Sequence, residues 1–283
     1  MFDAAIDDLE ALLIADFHKK LLRASLRSLE ETLNPLAFNN FCAGFRELIR
    51  HVLSDLAPDA EIKACAWYEP DKSSKSGITR AHAMTYVIQG GLPHKYVADV
   101  LKLDVSDERR ALIAAVNLLN KYTHVNASTF DTDVADASEK AERATRALGN
   151  VLTLANQCRS ELASALQETI QNEVVELAIS EMVDSIDGLA SHHCVENIDV
   201  EEVSITKVDS EYIHIQASGT IGVELQWGSN SDVRRGGGAV GNDSFPFTCD
   251  LLCHVDTPDD VAVVENTLCV DTSSWWEGYY DET

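Results

Sequence analysis

Apolar residues recur at helical spacing through the first two thirds of the chain. Between residues 3 and 33 they stand three or four positions apart, which predicts one amphipathic helical segment; these positions are Ile6, Leu9, Leu12, Leu13, Phe17, Leu21, Leu22, Leu26, Leu29 and Leu33. Asn34-Pro35 ends it, because a residue before proline is pushed out of the helical region. A second helix is predicted from about Leu36 to Leu56, and Pro58 closes it.

Three more helices are predicted before residue 125. They follow an irregular connection over residues 64–80. Two short ones lie around Thr79–Gln89 and His94–Leu103, with two glycines and a proline between them. Ser106-Asp107-Glu108 offers N-cap chemistry for a third helix, which runs to about Tyr122.

The longest helical pattern follows. It predicts a helical stretch over Asp131–Ala190, broken near Gly149 and stopped at Gly188. With it, helical periodicity accounts for almost every segment up to residue 190.

After His193 the pattern changes to alternation, with many Val, Ile, Thr and aromatic residues. Four segments are typical of antiparallel strands: VEEVSITKV, YIHIQASGTIGVELQW, FPFTCDLLCHV and VAVVENTLCV. Residues 228–244 are predicted to form a glycine-rich loop, and residues 273–283 an aromatic, acidic tail or docking segment. The predicted fold is therefore α+β. An N-terminal all-helical bundle occupies residues 1–190, and a small antiparallel β domain occupies residues 191–283.

Charge is spread very unevenly along the chain. The formal net charge is −25. Residues 1–130 hold 17 acids and 15 bases, a net of −2, whereas residues 131–283 hold 30 acids and 7 bases, a net of −23. A protein that coats duplex nucleic acid would show a basic footprint, so the composition excludes that class. The near-neutral part still has room for a local basic site, and the acidic part suits a basic protein partner.

The location of the protein follows from its apolar runs and its first residues. No apolar run reaches the length that crosses a bilayer. The beginning, MFDAAIDDLEALL, is acidic and periodic, unlike a signal peptide. We therefore expect a cytoplasmic protein without a membrane partner. Its seven scattered cysteines are expected to be reduced thiols rather than a disulfide framework.

The second predicted helix carries the first candidate site. Its apolar arc is predicted to be buried and comprises Phe38, Phe41, Cys42, Phe45, Leu48, Ile49, Val52, Leu53 and Leu56; the opposite, polar arc comprises Asn39, Asn40, Arg46, Glu47, Arg50, His51 and Ser54. Arg46 and His51 lie about 140° apart and about 7.5 Å along the axis. One helix does not make a compact site from them, but two polar arcs facing across a two-fold axis would. The alternative is a solvated face with pairs such as Glu47–His51.

Asn120-Lys121-Tyr122-Thr123-His124-Val125-Asn126 is the second candidate, because it concentrates hydrogen-bonding and proton-transfer groups in seven residues. The alternative is an ordinary helix C-terminus, where Lys121 and His124 offset the helix dipole. A combined site would join both to Arg46 and His51. Arg80, beside His82, would add a basic contact, although a solvated helix start is the simpler interpretation.

Two further constellations are weaker. His192-His193-Cys194 and Cys249-x3-Cys253-His254 have zinc-ligand types but no C-x2-C knuckle. In a strand, residues 249 and 253 are about 13 Å apart, so buried cysteines are expected and no metal.

Arg234-Arg235 followed by three glycines lacks the rest of a phosphate-loop motif. It predicts a flexible hairpin, or else a sensor loop.

Four segments between about residues 40 and 253 carry a family resemblance: RELIRHVLSDLAPDAEIKACAW, TRAHAMTYVIQGGL, LLNKYTHVNASTF and VELQWGSNSDVRRGGGAVGNDSFPFTC. They are similar to the bacterial family called predicted pPIWI-associating nucleases. Arg-x4-His on a helix of an all-helical domain also resembles the HEPN superfamily of ribonucleases. The commonest pattern of that superfamily has Asn, Asp or His directly after the arginine, where this chain has Glu47.

The resemblance implies metal-independent RNA cleavage in a prokaryotic defence setting. Arg46 would bind the phosphate and stabilise its pentavalent transition state. His51 would move protons at the ribose 2′-OH or the leaving 5′-oxygen, leaving 2′,3′-cyclic phosphate and 5′-OH ends. Lys121 and His124 would support them. The expected RNA-contacting residues are Arg50, Tyr122, Asn126 and Arg80.

The leading hypothesis is thus a homodimeric endoribonuclease effector of an antiviral or toxin-like system, with RNA as substrate and without a cofactor. The HEPN-like domain would cut, and the acidic β domain would sense a signal or dock a protein partner. The alternative hypothesis is a catalytically silent dimeric module that binds a protein partner. The first predicts that Arg46 and His51 line a shared groove, and the second that they pair with acids or point singly into solvent.

Overall fold

In a computed structural model of the chain, residues 2–180 and 184–277 are described. The helices before the sheet are α1 (Asp3–Leu12), α2 (Asp16–Glu30), α3 (Ala37–Leu56), α4 (Asp59–Ala64), α5 (Arg80–Gln89), α6 (His94–Asp99), α7 (Ser106–Thr123), α8 (Val134–Ser180) and α9 (Asp184–Asp187). The remaining elements are β1 (His192–Val208), β2 (Tyr212–Trp227), α10 (Asn230–Arg234), β3 (Ala239–His254), β4 (Ala262–Val263), β5 (Cys269–Val270) and α11 (Ser273–Glu277). The α+β prediction is confirmed.

The first predicted helix is two helices. Leu13, after α1, has an extended backbone (ψ 121°), and α2 begins only at Asp16. The apolar spacing continues across this break, which is why periodicity does not reveal it. Two residues predicted on the apolar stripe lie outside the core, since Phe17 is 53% exposed and Leu33 is 98% exposed.

Helix α3 packs its apolar arc as predicted, except at its end. The residues from Phe38 to Leu53 on that arc are at most 4% exposed, whereas Leu56 is 41% exposed. Asn39, which the pattern places on the polar arc, is buried. Its side-chain amide donates to the carbonyl oxygens of Tyr122 (2.7 Å) and Thr129 (3.1 Å), so it ties α3 to the end of α7.

The predicted break at Gly149 is wrong, because α8 continues through it to Ser180. One glycine costs a helix only about 1 kcal/mol, which a long packed helix tolerates. The predicted cap of α7 is also displaced. Ser106 is already helical, and its backbone N–H donates to the Asp104 carboxylate at 2.9 Å.

The chain divides into two compact units, residues 1–158 and 159–283, and the division falls within α8. The change from helices to strands falls between α9 and β1, where the domain prediction has its border. That border stays a prediction. In the described ranges, no helix combines the length and apolar character needed to cross a membrane.

The second unit contains an antiparallel sheet in the order β1-β2-β3-β4, with β5 also paired to β3. One face is buried and includes Ile213, Ile215, Ile221, Val223, Leu225, Phe245, Phe247 and Leu251. Helix α8 joins the sheet through Gln171, whose side chain donates to Ile198 O (2.8 Å) and accepts from Val200 N (2.9 Å). The Trp227 indole lies on Trp275, with ring centroids 5.8 Å apart and planes 15° apart.

Two strand-region predictions are corrected. The strand expected over VAVVENTLCV is only the two-residue β4 and β5, since Asn266 turns the chain with a φ of 61°. The loop expected over residues 228–244 contains α10 and the first residues of β3. Ser229 and Asp232 form a capping box that begins α10. The predicted tail begins with α11, and residues 278–283 lie outside the described residues.

Candidate functional site

The polar arc of α3 is built around one carboxylate. Arg46 donates to one oxygen of Glu47 at 3.1 Å, and Arg50 donates to the other at 2.7 Å. The bond from Arg50, and after it the bond from Arg46, lowers the pKa of Glu47 below its ordinary value. Two arginines on successive turns are thus gathered by one negative charge, and all three side chains remain partly open to solvent.

His51 continues this network. Its Nε2 is 2.7 Å from the guanidinium of Arg50. An arginine can only donate, so Nε2 of His51 is the acceptor in this contact. The solvated-face hypothesis expected a Glu47–His51 pair. Instead, both arginines bind the carboxylate of Glu47, and Arg50 is the partner of His51. We call Arg46, Glu47, Arg50 and His51 the α3 network.

Helix α2 forms a wall beside the α3 network. The Phe17 ring lies 5.0 Å from the His51 ring, with planes 86° apart. The neighbouring His18 is buried, and its Nε2 is 3.0 Å from the carboxylate of Asp55 on α3. Sequence reasoning missed both residues. His18 did carry a signal, because it is a titratable residue on the apolar face of an amphipathic helix, but Asp55 lies in another element.

The second candidate cluster has a different character. Tyr122 is only 7% exposed, and its ring stands 4.8 Å from that of Phe38. The ammonium groups of Lys121 and Lys140 lie 5.5 and 5.7 Å from the same ring. Tyr122 therefore packs in the core with two cations near its ring, and its contact with RNA stays a prediction. Lys121 itself is exposed.

The residues after Tyr122 form a turn. The carbonyl of His124 accepts from the Thr129 hydroxyl (3.0 Å) and from the Asn126 side chain (3.2 Å). The side-chain oxygen of Asn126 accepts from the backbone N–H of Ser128 at 2.9 Å and from its hydroxyl at 2.7 Å. Asn126 thus shapes the turn, while the imidazole of His124 lies at the surface.

The two candidate clusters are not brought together within one chain. Tyr122 contacts Phe38, near the start of α3, and His51 lies 13 residues farther along that helix. At 1.5 Å per residue this separation is about 20 Å. The combined site of Arg46, His51, Lys121 and His124 is therefore not one pocket of one protomer.

Arg80 lies apart from both clusters in sequence and begins α5 as an exposed residue. Its neighbour His82 closes a capping box with Thr79. The Thr79 backbone N–H donates to the imidazole at 3.2 Å, and the His82 N–H donates to the hydroxyl at 3.4 Å. These bonds account for His82 as a helix cap.

A cavity of about 610 Å³ lies elsewhere in the first unit. It opens between the end of α2, the start of α3 and the connection into α8, and Leu29, Glu30, Phe38, Asp131 and Val134 are among its lining residues. None of the predicted site residues lines it. The α3 network is thus a partly exposed surface and not part of this cavity.

The cysteine and histidine groups that suggested zinc are dispersed. Burial raises the pKa of Cys249 to about 11 and that of Cys253 to about 12, so both are protonated thiols. His193 pairs with Asp187 at 3.0 Å and His254 with Glu211 at 3.6 Å. Over residues 2–180 and 184–277, no three His, Cys, Asp or Glu side chains gather as metal ligands would.

Comparison with known protein families decides the relationship of this chain. Two family models match it, one over residues 10–148 and the other over residues 155–276, and both are described as predicted pPIWI-associating nuclease. The chain belongs to the predicted pPIWI-associating nuclease family. No curated protein and no solved structure matches it.

The resemblance to the predicted pPIWI-associating nuclease family is thereby confirmed. The α3 network and the residues around Lys121 both lie in the segment of this chain that matches one predicted pPIWI-associating nuclease model, residues 10–148. The segment matched over residues 155–276 contains the sheet. The gap between the two matches, residues 149–154, lies inside α8.

Proposed function

We propose that the protein is a metal-independent endoribonuclease whose reacting groups are Arg46, Arg50 and His51. The observation that carries the proposal is the α3 network. It holds two phosphate-binding side chains and one proton-transfer side chain in an unbroken chain of hydrogen bonds, on an exposed face of a nuclease-family segment. RNA as substrate, a HEPN-like domain and a role in prokaryotic defence are parts of this proposal.

The chemistry begins with an exchange of anions. An RNA phosphate replaces Glu47 as partner of Arg46 and Arg50, because a planar guanidinium binds phosphate and carboxylate through the same donors. When Arg50 turns to the phosphate, the Nε2 of His51 is free to accept the proton of the 2′-OH. The 2′-oxygen then attacks phosphorus, while the arginines stabilise the added negative charge.

The leaving 5′-oxygen needs a proton. In a homodimer whose two polar arcs face each other, His51 of the partner subunit supplies it, after its Nε2 has separated from Arg50 and taken up a proton from solvent. The products are a 2′,3′-cyclic phosphate and a 5′-OH end. Lys121 and His124, about 20 Å away along α3, would contact the RNA farther from the reacting phosphate.

The same carboxylate favours a second candidate function. Glu47 occupies both arginines, which leaves neither fully available to a phosphate. A catalytically silent dimeric module, whose acidic second unit docks a basic protein partner, is consistent with that arrangement. Cleavage that begins only after partner binding would join the two functions.

The test is a gel assay on labelled oligoribonucleotides with EDTA present. Wild type is compared with Arg46→Ala and His51→Ala. The controls are Arg110→Ala, at an exposed arginine that also pairs with an acid, and His192→Ala, at an exposed histidine of the second unit. We expect cyclic-phosphate ends from wild type and both controls, and at least a hundredfold slower cleavage from the two site variants.

Three other outcomes change the assignment. Cleavage that survives Arg46→Ala and His51→Ala moves the centre elsewhere, and Lys121→Ala and His124→Ala are tested next. Cleavage that requires added Mg²⁺ contradicts the metal-independent mechanism. Wild-type protein that binds a protein partner but never cleaves, alone or with that partner, supports the silent module.

A further inference from the structure

We propose that Phe17 is a stacking surface for a nucleobase, so that the α3 network takes single-stranded rather than duplex nucleic acid. This inference rests on the proposed function and deepens it, because it names the form of the substrate. Nothing in the family description assigns a role to α2.

Phe17 is exposed where the helical pattern expects a core residue. About half of the side chain is open to solvent (53%), and Ile14, three residues earlier, is 89% exposed. The Phe17 ring meets the His51 ring in a perpendicular contact at 5.0 Å and the His18 ring at 6.0 Å. An open aromatic face therefore stands directly beside the proposed proton-transfer group.

The position of Phe17 is fixed by the residue that follows it. His18 is 5% exposed, and its Nε2 lies 3.0 Å from Asp55, one helical turn beyond His51. This pair ties the beginning of α2 to α3. A rigid aromatic surface binds with less loss of conformational entropy than a mobile one.

The charges around the ring favour a nucleotide over a purely apolar protein partner. Arg50 lies 2.7 Å from His51. A guanidinium that can bind phosphate and the aromatic ring of Phe17 therefore both lie next to the same imidazole. Glu47 is bonded to the arginines, and Asp55 lies 3.0 Å from His18. Asp16, which precedes Phe17 in the sequence, belongs to the first turn of α2.

The form of the nucleic acid follows from the geometry of stacking. Bases inside a duplex already stack on their neighbours, so only an unpaired or extruded base can lie on a side chain. Every base has an apolar face, so stacking on Phe17 would select single strands without selecting sequence. Phosphate binding by Arg46 and Arg50 would be equally tolerant of sequence.

The test uses oligonucleotides that cannot be cut, with 2′-O-methyl riboses and one 2-aminopurine. Binding is measured by anisotropy, and stacking by quenching of the 2-aminopurine. Wild type, Phe17→Ala, Phe17→Leu and Phe17→Tyr are compared. Phe130→Ala is the matched control, because Phe130 is a comparably exposed phenylalanine (49%) elsewhere in the same unit. Thermal midpoints verify that each variant is folded.

We expect Phe17→Ala and Phe17→Leu to weaken binding by about fivefold to a hundredfold and to abolish the quenching. Phe17→Tyr and Phe130→Ala should stay within twofold of wild type. A duplex of the same sequence should compete at least tenfold less well than the single strand.

Equal binding by wild type, Phe17→Ala and Phe17→Leu overturns the inference, as does equal competition by the duplex or a wild type that binds no oligonucleotide. The two proposals fail separately. Phe17-dependent binding without any cleavage of unmodified RNA contradicts the endoribonuclease proposal and supports the stacking site. Cleavage that does not depend on Phe17 contradicts the stacking site and supports the endoribonuclease proposal.

Discussion

Glu47 stands where a phosphate would have to bind, with each of its oxygens bonded to an arginine of the α3 network. A carboxylate at this position competes with the substrate for the same donors. It also keeps Arg46 and Arg50 aligned while the site is empty. Glu47 therefore weakens phosphate binding by competition and favours it by aligning the arginines. A substitution of Glu47 shows which of the two effects is larger.

Glu47→Gln removes the negative charge and retains the shape. We expect this change to tighten binding of an uncleavable single strand by about two- to fivefold, since an exposed ion pair is worth about 0.2–1 kcal/mol. The measurement is anisotropy at several salt concentrations.

Asp107→Asn is the matched control, because it removes the same charge from another exposed pair, with Arg110. It should leave binding unchanged. Weaker binding by Glu47→Gln would show that alignment of the arginines matters more than competition. A salt dependence identical to that of wild type would show that the arginines do not meet phosphate.

Asp209 is a second residue whose charge has a structural consequence, at the β1–β2 turn. Partial burial would raise the pKa of Asp209, but bonds from the backbone N–H groups of Tyr212 and Glu211, and from His214 and Lys207, hold that pKa well below its ordinary value. The stabilisation is therefore present above the pKa of the unfolded chain, near 4. It is lost as pH falls through the lowered value.

Asp209→Asn should cost roughly 1–3 kcal/mol of unfolding free energy at pH 7, because an amide accepts these bonds less strongly than a carboxylate. The difference from wild type should shrink below about pH 4. Urea unfolding at pH 7, 4 and 3 measures it, with exposed Asp199→Asn on β1 as the control. A difference that stays constant with pH would contradict the assignment.

Single residues also show what the pattern of apolar and polar positions predicts correctly and where it fails. It identified the buried arc of α3, but it placed Asn39 with the polar residues and Leu56 with the core. The helical wheel records polarity and not neighbours. Asn39 is buried because the end of α7 covers that side of α3. Likewise, the sequence indicated Arg46, Arg50 and His51 together, but not Phe17 or His18, since those come from another helix.

Among the elements, α2 and α3 lie close together where Gly44 faces Ser25. A Cβ added there would meet the Ser25 hydroxyl, which donates to Leu21 O at 2.8 Å. The crossing of these two helices sets the distance between Phe17 and His51. The position of Phe17 against His51 therefore depends on a small residue two helical turns before His51.

Gly44→Ala should destabilise the protein by about 1–2 kcal/mol, because overpacking exceeds the gain in helix propensity. In a Ser25→Ala background the hydroxyl is absent and the nearest side-chain atom is 3.3 Å away. There the same change should cost nothing or stabilise by up to about 1 kcal/mol. Thermal unfolding of wild type, the two single variants and the double variant gives the coupling free energy between Gly44 and Ser25. Additive effects would show that the hydroxyl does not limit this approach.

The elements themselves were predicted with uneven success. Long periodic segments such as α3, α7 and β2 were identified because one face of each is buried. The break between α1 and α2 was not, since apolar spacing continues through it. The strand expected over VAVVENTLCV shrank to β4 and β5, because apolar composition does not show where Asn266 turns the backbone.

At the scale of the whole molecule, the separation of charge is the dominant feature. Of the net charge of −25, residues 131–283 carry −23. Self-repulsion of this size weakens the compact state, and salt screens it. Sequence alone gave this property completely, since it needs no contacts, and the α+β class followed from periodicity.

Raising NaCl from 20 to 500 mM should therefore raise the midpoint of thermal unfolding by about 2–6 °C, while it weakens binding to single strands. Scanning calorimetry and anisotropy in the same buffers measure the two trends. Sucrose, which stabilises by exclusion, should raise the midpoint without weakening binding. A midpoint that falls with NaCl would show that favourable ion pairs outweigh the repulsion.

The stacked indoles of Trp227 and Trp275 give the second unit an optical signature of its own. Two parallel rings 5.8 Å apart are close enough for their electronic transitions to couple, which produces a paired positive and negative band in ultraviolet circular dichroism. Trp67 belongs to the first unit, where its indole donates to Gly90 O at 2.9 Å. Loss of the paired band in wild type reports melting of the sheet region, and the emission of a variant that keeps Trp67 as its one tryptophan reports the helical region. The two samples together show whether the two halves of this nuclease-family chain unfold at the same temperature.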